Sequence, residues 1–149
     1  MRGGAGPILL VEDDYNDVVL IRRAFARADL DVPIRVVHDS ADAILYLQGK
    51  GAYADREEHP LPSLLLLDLK LPGDSGFEVL RWARERSGLK RLPIIVLTSS
   101  SADRDVNLAY DLGANSYVVK PLTFESLMDL VKAVDMYWVM LNEAPDLTP

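Results

Sequence analysis

Asp68 follows directly on four leucines, Leu64-Leu65-Leu66-Leu67, and precedes Leu69-Lys70-Leu71-Pro72-Gly73. A short apolar run closed by turn residues reads as a central strand of a parallel sheet. A carboxylate at the end of such a strand is costly unless it is paired or put to use. Other apolar runs end in polar side chains of complementary kind: Glu12-Asp13-Asp14, Thr98-Ser99 and Lys120-Pro121. In a parallel sheet these ends line one edge, the edge at which open α/β proteins take ligands. The site would then hold two or three carboxylates, a hydroxyl and an ammonium. Clustered carboxylates repel one another and need a cation. Oxygen donors without His or Cys suit Mg²⁺ or a similar hard ion. A lysine beside that pocket suits one phosphoryl oxygen, and a strand-end hydroxyl can donate to a second. The chemistry that fits is phosphoryl transfer to the Asp68 carboxylate, by positioning and charge neutralisation.

Five strand-like runs supply those ends: Ile8–Val11, Ile34–Val37, Leu64–Leu67, Ile94–Leu97 and Tyr117–Val119. Between and after them lie helical patterns over Asn16–Ala28, Ala41–Lys50, Phe77–Arg86, Asp103–Leu112 and Phe124–Leu141. Alternating strands and helices predict an α/β fold, a doubly wound parallel sheet covered on both faces. Gly113 reads as a helix C-terminal stop, Thr123 as the N-cap of the last helix and Asp14 as an N-terminal cap. Gly51–Pro62 reads as a surface loop. Residues 1–7 are expected to be a flexible tail, 8–142 one domain and 143–149 a C-terminal tail.

The chain of 149 residues is long enough for one domain with a real core. Its formal net charge of −7 argues against nucleic acid or an anionic membrane surface as main partner. With no cysteine, disulfides, thiolate metal sites and thiol nucleophiles are excluded. No apolar run is long enough to span a bilayer. A cytoplasmic protein is expected.

In their order and spacing, Leu9-Leu10-Val11-Glu12-Asp13, Leu67-Asp68-Leu69-Lys70-Leu71-Pro72 with Gly76, Leu97-Thr98-Ser99 and Tyr117-Val118-Val119-Lys120-Pro121 resemble the receiver domains of two-component response regulators. The resemblance covers roughly residues 8 to 140. It implies a flavodoxin-like fold of five parallel strands in the order 2-1-3-4-5. It implies that Asp68 accepts a phosphoryl group from a phosphohistidine of a sensor histidine kinase. Glu12 and Asp13 would hold Mg²⁺, Asp13 more directly, with the Lys70 backbone carbonyl as a further ligand. Thr98 would sense the phosphoryl group, Lys120 would bind it and Tyr117 would be the rotameric switch. Lys70 stands where the family varies widely; its side chain would sit near the metal edge. The stretch from Asp13 to Asp68 is longer than usual, and the Gly51–Pro62 loop accounts for the excess. The run Tyr137 to Pro145 and the long loop before strand three look like those of single-domain regulators paired with phytochrome-type kinases.

Each piece alone has a plainer reading. Glu12-Asp13-Asp14 would be acids favoured by a helix dipole, Lys120-Pro121 an ordinary turn and Tyr117 a half-buried strand aromatic. Ser100 and Ser101 read as polar loop, His38 and His59 have no partner spacing, and Gly73 and Gly76 read as turn glycines. Two rivals to a phosphoacceptor follow. An aspartyl-phosphate phosphatase of the haloacid dehalogenase type needs a second Asp two positions after the nucleophile, where this chain has Lys70. A phosphorylation-independent interaction module would lack site residues that are all present. A receiver assists its own phosphoryl transfer without being an enzyme acting on other substrates.

In the last helix Leu127, Leu130, Val131, Val134, Trp138 and Leu141 follow core spacing. Met136, Tyr137, Val139 and Met140 then make its end apolar nearly all round, which predicts a homodimer contact there. The alternative is a tail that folds back over the patch through Pro145 and Leu147.

Overall fold

The computed structural model describes residues 6–73 and 75–148. The strands are β1 (Ile8–Val11), β2 (Ile34–Val37), β3 (Leu64–Leu67), β4 (Ile94–Thr98) and β5 (Ser116–Val119). The helices are α1 (Tyr15–Arg27), α2 (Ser40–Gln48), α3 (Gly76–Glu85), α4 (Asp103–Asp111) and α5 (Phe124–Val134), the last continued by a π-helical stretch, Asp135–Leu141. All strand pairs are parallel, in the order β2-β1-β3-β4-β5. The flavodoxin-like arrangement expected from the motifs is therefore the one observed. The order reverses direction at β1, so the ends of β1 and β3 flank the natural crevice of such a sheet.

The leucine run of β3 explains the layering. Leu65 and Leu67 face α2, α3 and α4, with Leu9, Val11 and Val96. Leu64 and Leu66 face α1 and α5, with Ile8, Leu10 and Ile95. A strand buried on both faces has no polar side to show, hence the absence of alternation. Among the helices, Asp14 caps α1 by accepting the amides of Asn16 (2.9 Å) and Asp17 (3.2 Å). Thr123 caps α5 through the Ser126 amide. Gly113, at φ +103°, ends α4: its amide and that of Ala114 reach back to Tyr110 and Ala109.

Two expectations change. The N-terminal tail of residues 1–7 falls partly outside the described residues, yet Gly6 and Pro7 are tied by their carbonyls to the Ser63 hydroxyl and amide. The Gly51–Pro62 segment lies at the surface, as read from the sequence, and is fastened there. Arg56 donates to the carbonyls of Tyr46, Leu47 and His59, Tyr46 Oη donates to the Pro60 carbonyl, and the His59 and Tyr53 rings meet at 5.2 Å. The larger change lies beyond Val134. The Asn142 amide bonds to the Tyr137 carbonyl, an i→i+5 closure, so the 3.6-residue period no longer decides what faces the core. Trp138 and Val139 pack on the α1–α5 cluster, while Leu141, expected in the core, is 69% exposed with Met136, Tyr137 and Met140.

The tail does not cover this patch. Leu147 packs against the opposite cluster, and the Thr148 amide donates to the Gly88 carbonyl between α3 and β4. A Cβ on Gly88 would overlap the Thr148 carbonyl and hydroxyl. The C-terminal segment therefore passes around the sheet from one face to the other.

Candidate functional site

The site is built on backbone ladders that run past the strand ends. The Glu12 amide donates to Val37 and the Asp68 amide to Val11, which continues β1 and β3 by one residue each. The Lys120 amide donates to the Thr98 carbonyl at 2.8 Å, which fastens the end of β5 to β4. Asp68 is 5% exposed, Glu12 1% and Thr98 not at all. Beneath Asp68, α3 begins at Gly76, whose amide bonds to the Leu69 carbonyl. A Cβ at Gly76 would collide with the Asp68 carbonyl, so the residue is a close-packing glycine of α3 and not a turn glycine.

Lys120 Nζ lies 2.6 Å from Glu12 Oε1, 2.7 Å from Asp17 Oδ2 and 2.9 Å from Asp68 Oδ2. The other oxygen of Asp68 accepts the Lys70 amide at 3.1 Å. Oxygens of Glu12, Asp13 and Asp68 gather within 4.8 Å of one another, with Asp13 on the exposed side. The expected acidic pair, phosphoacceptor and lysine thus meet. Asp14 stays outside the cluster as a helix cap, as read from the sequence. Asp17 was missed: an acid in a first helical turn reads as dipole complement. Its place one turn before the core residue Ile21 was the available signal.

The electrostatics follow from burial. Burial pushes the Glu12 carboxyl up, Asp68 adds to that, and Lys120 opposes without winning, so Glu12 sits at about 7. Burial pushes Asp68 up as well, but the Lys120 ammonium, the Lys70 amide and Glu12 outweigh it and the net direction is down. Burial alone would lower Lys120, yet its three carboxylates hold it above the usual lysine range. Asp68 is therefore the carboxylate of the group held toward its ionised form, while Glu12 is held toward its neutral form. An all-oxygen cluster of this size and charge suits a hard divalent cation.

Thr98 Oγ1 is buried without a hydrogen-bond partner. Leaving a buried hydroxyl unmade costs about 1–3 kcal/mol, a cost that an incoming oxygen can relieve. Tyr117 is half-buried and donates its hydroxyl to the Ser100 carbonyl at 2.8 Å. Ser100, read as plain loop, also donates to Asp105 in the first turn of α4 at 2.6 Å. His38 holds the Glu12 carbonyl at 3.1 Å, a positional role that sequence spacing did not suggest.

The profile of the response regulator receiver domain matches residues 8–132. Probable methanogenesis regulatory protein FilR2 of Methanothrix harundinacea is 39% identical over 93% of this chain and 86% of its own length. Response regulator Rcp1 of Synechocystis is 36% identical over 89% of this chain and 88% of its own. The Mn²⁺-bound form of Rcp1 superposes with a TM-score of 0.83 at 34% identity, covering 94% of this chain and 99% of Rcp1. The phosphorylated cyanobacterial phytochrome response regulator RcpA superposes with a TM-score of 0.87 at 35% identity, covering 95% of this chain and 99% of RcpA.

Proposed function

We propose, from the premise that this chain belongs to the response regulator receiver domain family, that it is a response regulator phosphorylated on Asp68 by a sensor histidine kinase. The observation that carries this reading is the Lys120 ammonium at 2.9 Å from a buried, ionised Asp68, inside a carboxylate cluster fit for a cation. An Asp68 oxygen attacks phosphorus, and the bond from phosphorus to the kinase imidazole breaks. Asp13, Glu12, Asp68 and the Lys70 carbonyl would hold Mg²⁺, which when bound neutralises charge on the transferring oxygens. Lys120 turns one donor from Asp68 to a phosphoryl oxygen. The unpartnered Thr98 hydroxyl takes another, and Tyr117 responds through the loop that carries Ser100. In this reading the protein is a cytoplasmic signalling component that accepts a phosphoryl group and does not act as an enzyme on other substrates.

The kinase is proposed to be of the phytochrome type, supported by likeness to the phytochrome response regulator RcpA along nearly the whole of each chain. Tyr15 (75% exposed) and the fully exposed Leu122 flank the acceptor edge and offer the kinase an apolar landing. A homodimer is proposed through Met136, Tyr137, Met140 and Leu141. Val139 drops out of that interface because it packs inward.

The test is Mg²⁺-dependent labelling by acetyl phosphate and by a phosphorylated phytochrome kinase, with Asp68→Asn as comparison. Labelling of the wild type and none of the variant is expected. An unlabelled wild type would leave the phosphorylation-independent interaction module, and repeated turnover a phosphatase.

A further inference from the structure

An ammonium has three donors, and on Lys120 all three are engaged, by Glu12, Asp17 and Asp68. During phosphoryl transfer two of these acceptors change allegiance. Asp68 becomes an acyl phosphate, a mixed anhydride, and gives up its donor to a phosphoryl oxygen. Glu12 belongs with Asp13 and Asp68 to the cluster that takes the cation, and a cation draws its oxygens away from the ammonium. Asp17 lies outside that cluster and carries neither commitment. Its contact to Lys120 is as short as 2.7 Å.

The placement of Asp17 is built into the fold. It stands in the first turn of α1, one turn before the buried Ile21, so it is turned toward the sheet where β5 ends. The Asp14 cap holds that turn through the Asp17 amide itself. The positive end of the helix favours a carboxylate at this position. Asp17 and Lys120 are the charged members of a small recess otherwise walled by Leu20, Ile21, Leu97, Pro121 and Leu127. Apolar walls reduce screening of the pair. A lysine stem has four rotatable carbons and loses its aim readily unless its head is held.

We infer that Asp17 is a positioning residue. It anchors the Lys120 ammonium while the other two carboxylates are handed over, so that the freed donor stays aimed at Asp68. This inference rests on the proposed phosphoacceptor function and adds to it a residue outside the metal cluster. It also distinguishes Asp17 from a second metal ligand: removing it should leave cation binding alone and slow transfer.

Initial labelling by acetyl phosphate at saturating Mg²⁺ is compared among wild type, Asp17→Ala, Asp17→Asn and Lys120→Met, with Asp17→Ala also placed in the Lys120→Met background. Asp17→Ala is expected to lower the maximal rate about tenfold, as loss of aim does, with the half-saturating Mg²⁺ concentration unchanged. Asp17→Asn, which keeps an acceptor oxygen, is expected to recover part of the rate. In the Lys120→Met background Asp17→Ala should have no effect, since it acts only through Lys120. A rate at or above wild type in Asp17→Ala, or an undiminished effect without Lys120, overturns the inference. Nitrogen relaxation of the Lys120 ammonium reads the anchor without any phosphoryl group. Increased mobility in Asp17→Ala supports it, and unchanged order overturns it. A wild type that takes no label would defeat the phosphoacceptor reading, and the relaxation measurement would still decide the anchor.

Discussion

Without a cation, Glu12→Gln is expected to make the protein more stable at alkaline pH and to change little at acid pH. Burial, then the neighbouring Asp68, hold the Glu12 carboxyl at about 7 against an ordinary value of 4.5. A folded-state value raised in this way means that the folded protein prefers the proton. The associated stability is complete below the unfolded value and is lost as pH rises through about 7. The gap of about 2.5 units corresponds to roughly 3 kcal/mol at pH 8. Gln keeps the shape and a carbonyl for Lys120 but never ionises, so it avoids that loss. At 2–4 °C per kcal/mol for a chain of this size, the variant should melt on the order of 10 °C above wild type at pH 8. At pH 4.5 the difference should fall below about 0.5 kcal/mol. Asp68, held down, works in the opposite sense and loses its contribution as pH falls. That loss sets in only below its ordinary value of 3.8, beneath the range from pH 4.5 to 8 over which the two proteins are compared. Calorimetric melts in chelator at half-unit steps from pH 4.5 to 8 measure the curve. Excess Mg²⁺ should close the gap from the wild-type side, by about 2.7 kcal/mol at a hundredfold excess over Kd. A melting difference that does not change with pH, or a wild type more stable at pH 8 in chelator, would refute the assignment of Glu12 as a buried, cation-awaiting acid.

Gly76→Ala sets a methyl group against the Asp68 carbonyl. Despite about 1 kcal/mol of better helix propensity, it should lose about 1–3 kcal/mol in urea unfolding and label poorly. Gly88→Ala should expel the tail by overlap with Thr148, read as rapid hydrogen exchange at the Thr148 amide and cleavage by carboxypeptidase. Leu147 is only half-buried, so the stability loss should stay near ~1 kcal/mol. Met136→Glu/Met140→Glu should turn a sedimenting dimer into monomer while leaving the melting temperature of the monomer unchanged. A wild type monomeric at high micromolar concentration would dismiss the π-helical face as an interface.

Where core side chains obey a period, the sequence was legible. The runs at β1, β3 and β4 are buried on both faces and announce themselves, and their polar ends locate the site. The extra residue of β4 brings Thr98 into the strand, which follows from its pairing with Val119. What escaped was non-local or off-period. Asp17 meets Lys120 across most of the chain length, and nothing in a first-turn acid names its partner. Arg56 fastens the long loop by reaching backbone carbonyls, which carry no residue-type signal. Beyond Val134 the widened turn of the π-helix moves Leu141 outward and Val139 inward, a phase change that the sequence cannot betray, since after Asp135 every position from Met136 to Leu141 carries an apolar or aromatic side chain.

The tail that leaves the π-helical stretch and ends beside Gly88 has a practical corollary. Residue 148 emerges near the start of β4, whereas Asp68 and Lys120 lie past the far ends of their strands. Strands of four or five residues set these two places roughly 15 Å apart along the sheet. A fluorophore, affinity tag or surface tether attached after the tail would then leave the acceptor edge open to a kinase. The same attachment at the N-terminus of α1 would crowd it. For immobilised binding assays, the C-terminal end is the handle by which this molecule should be held.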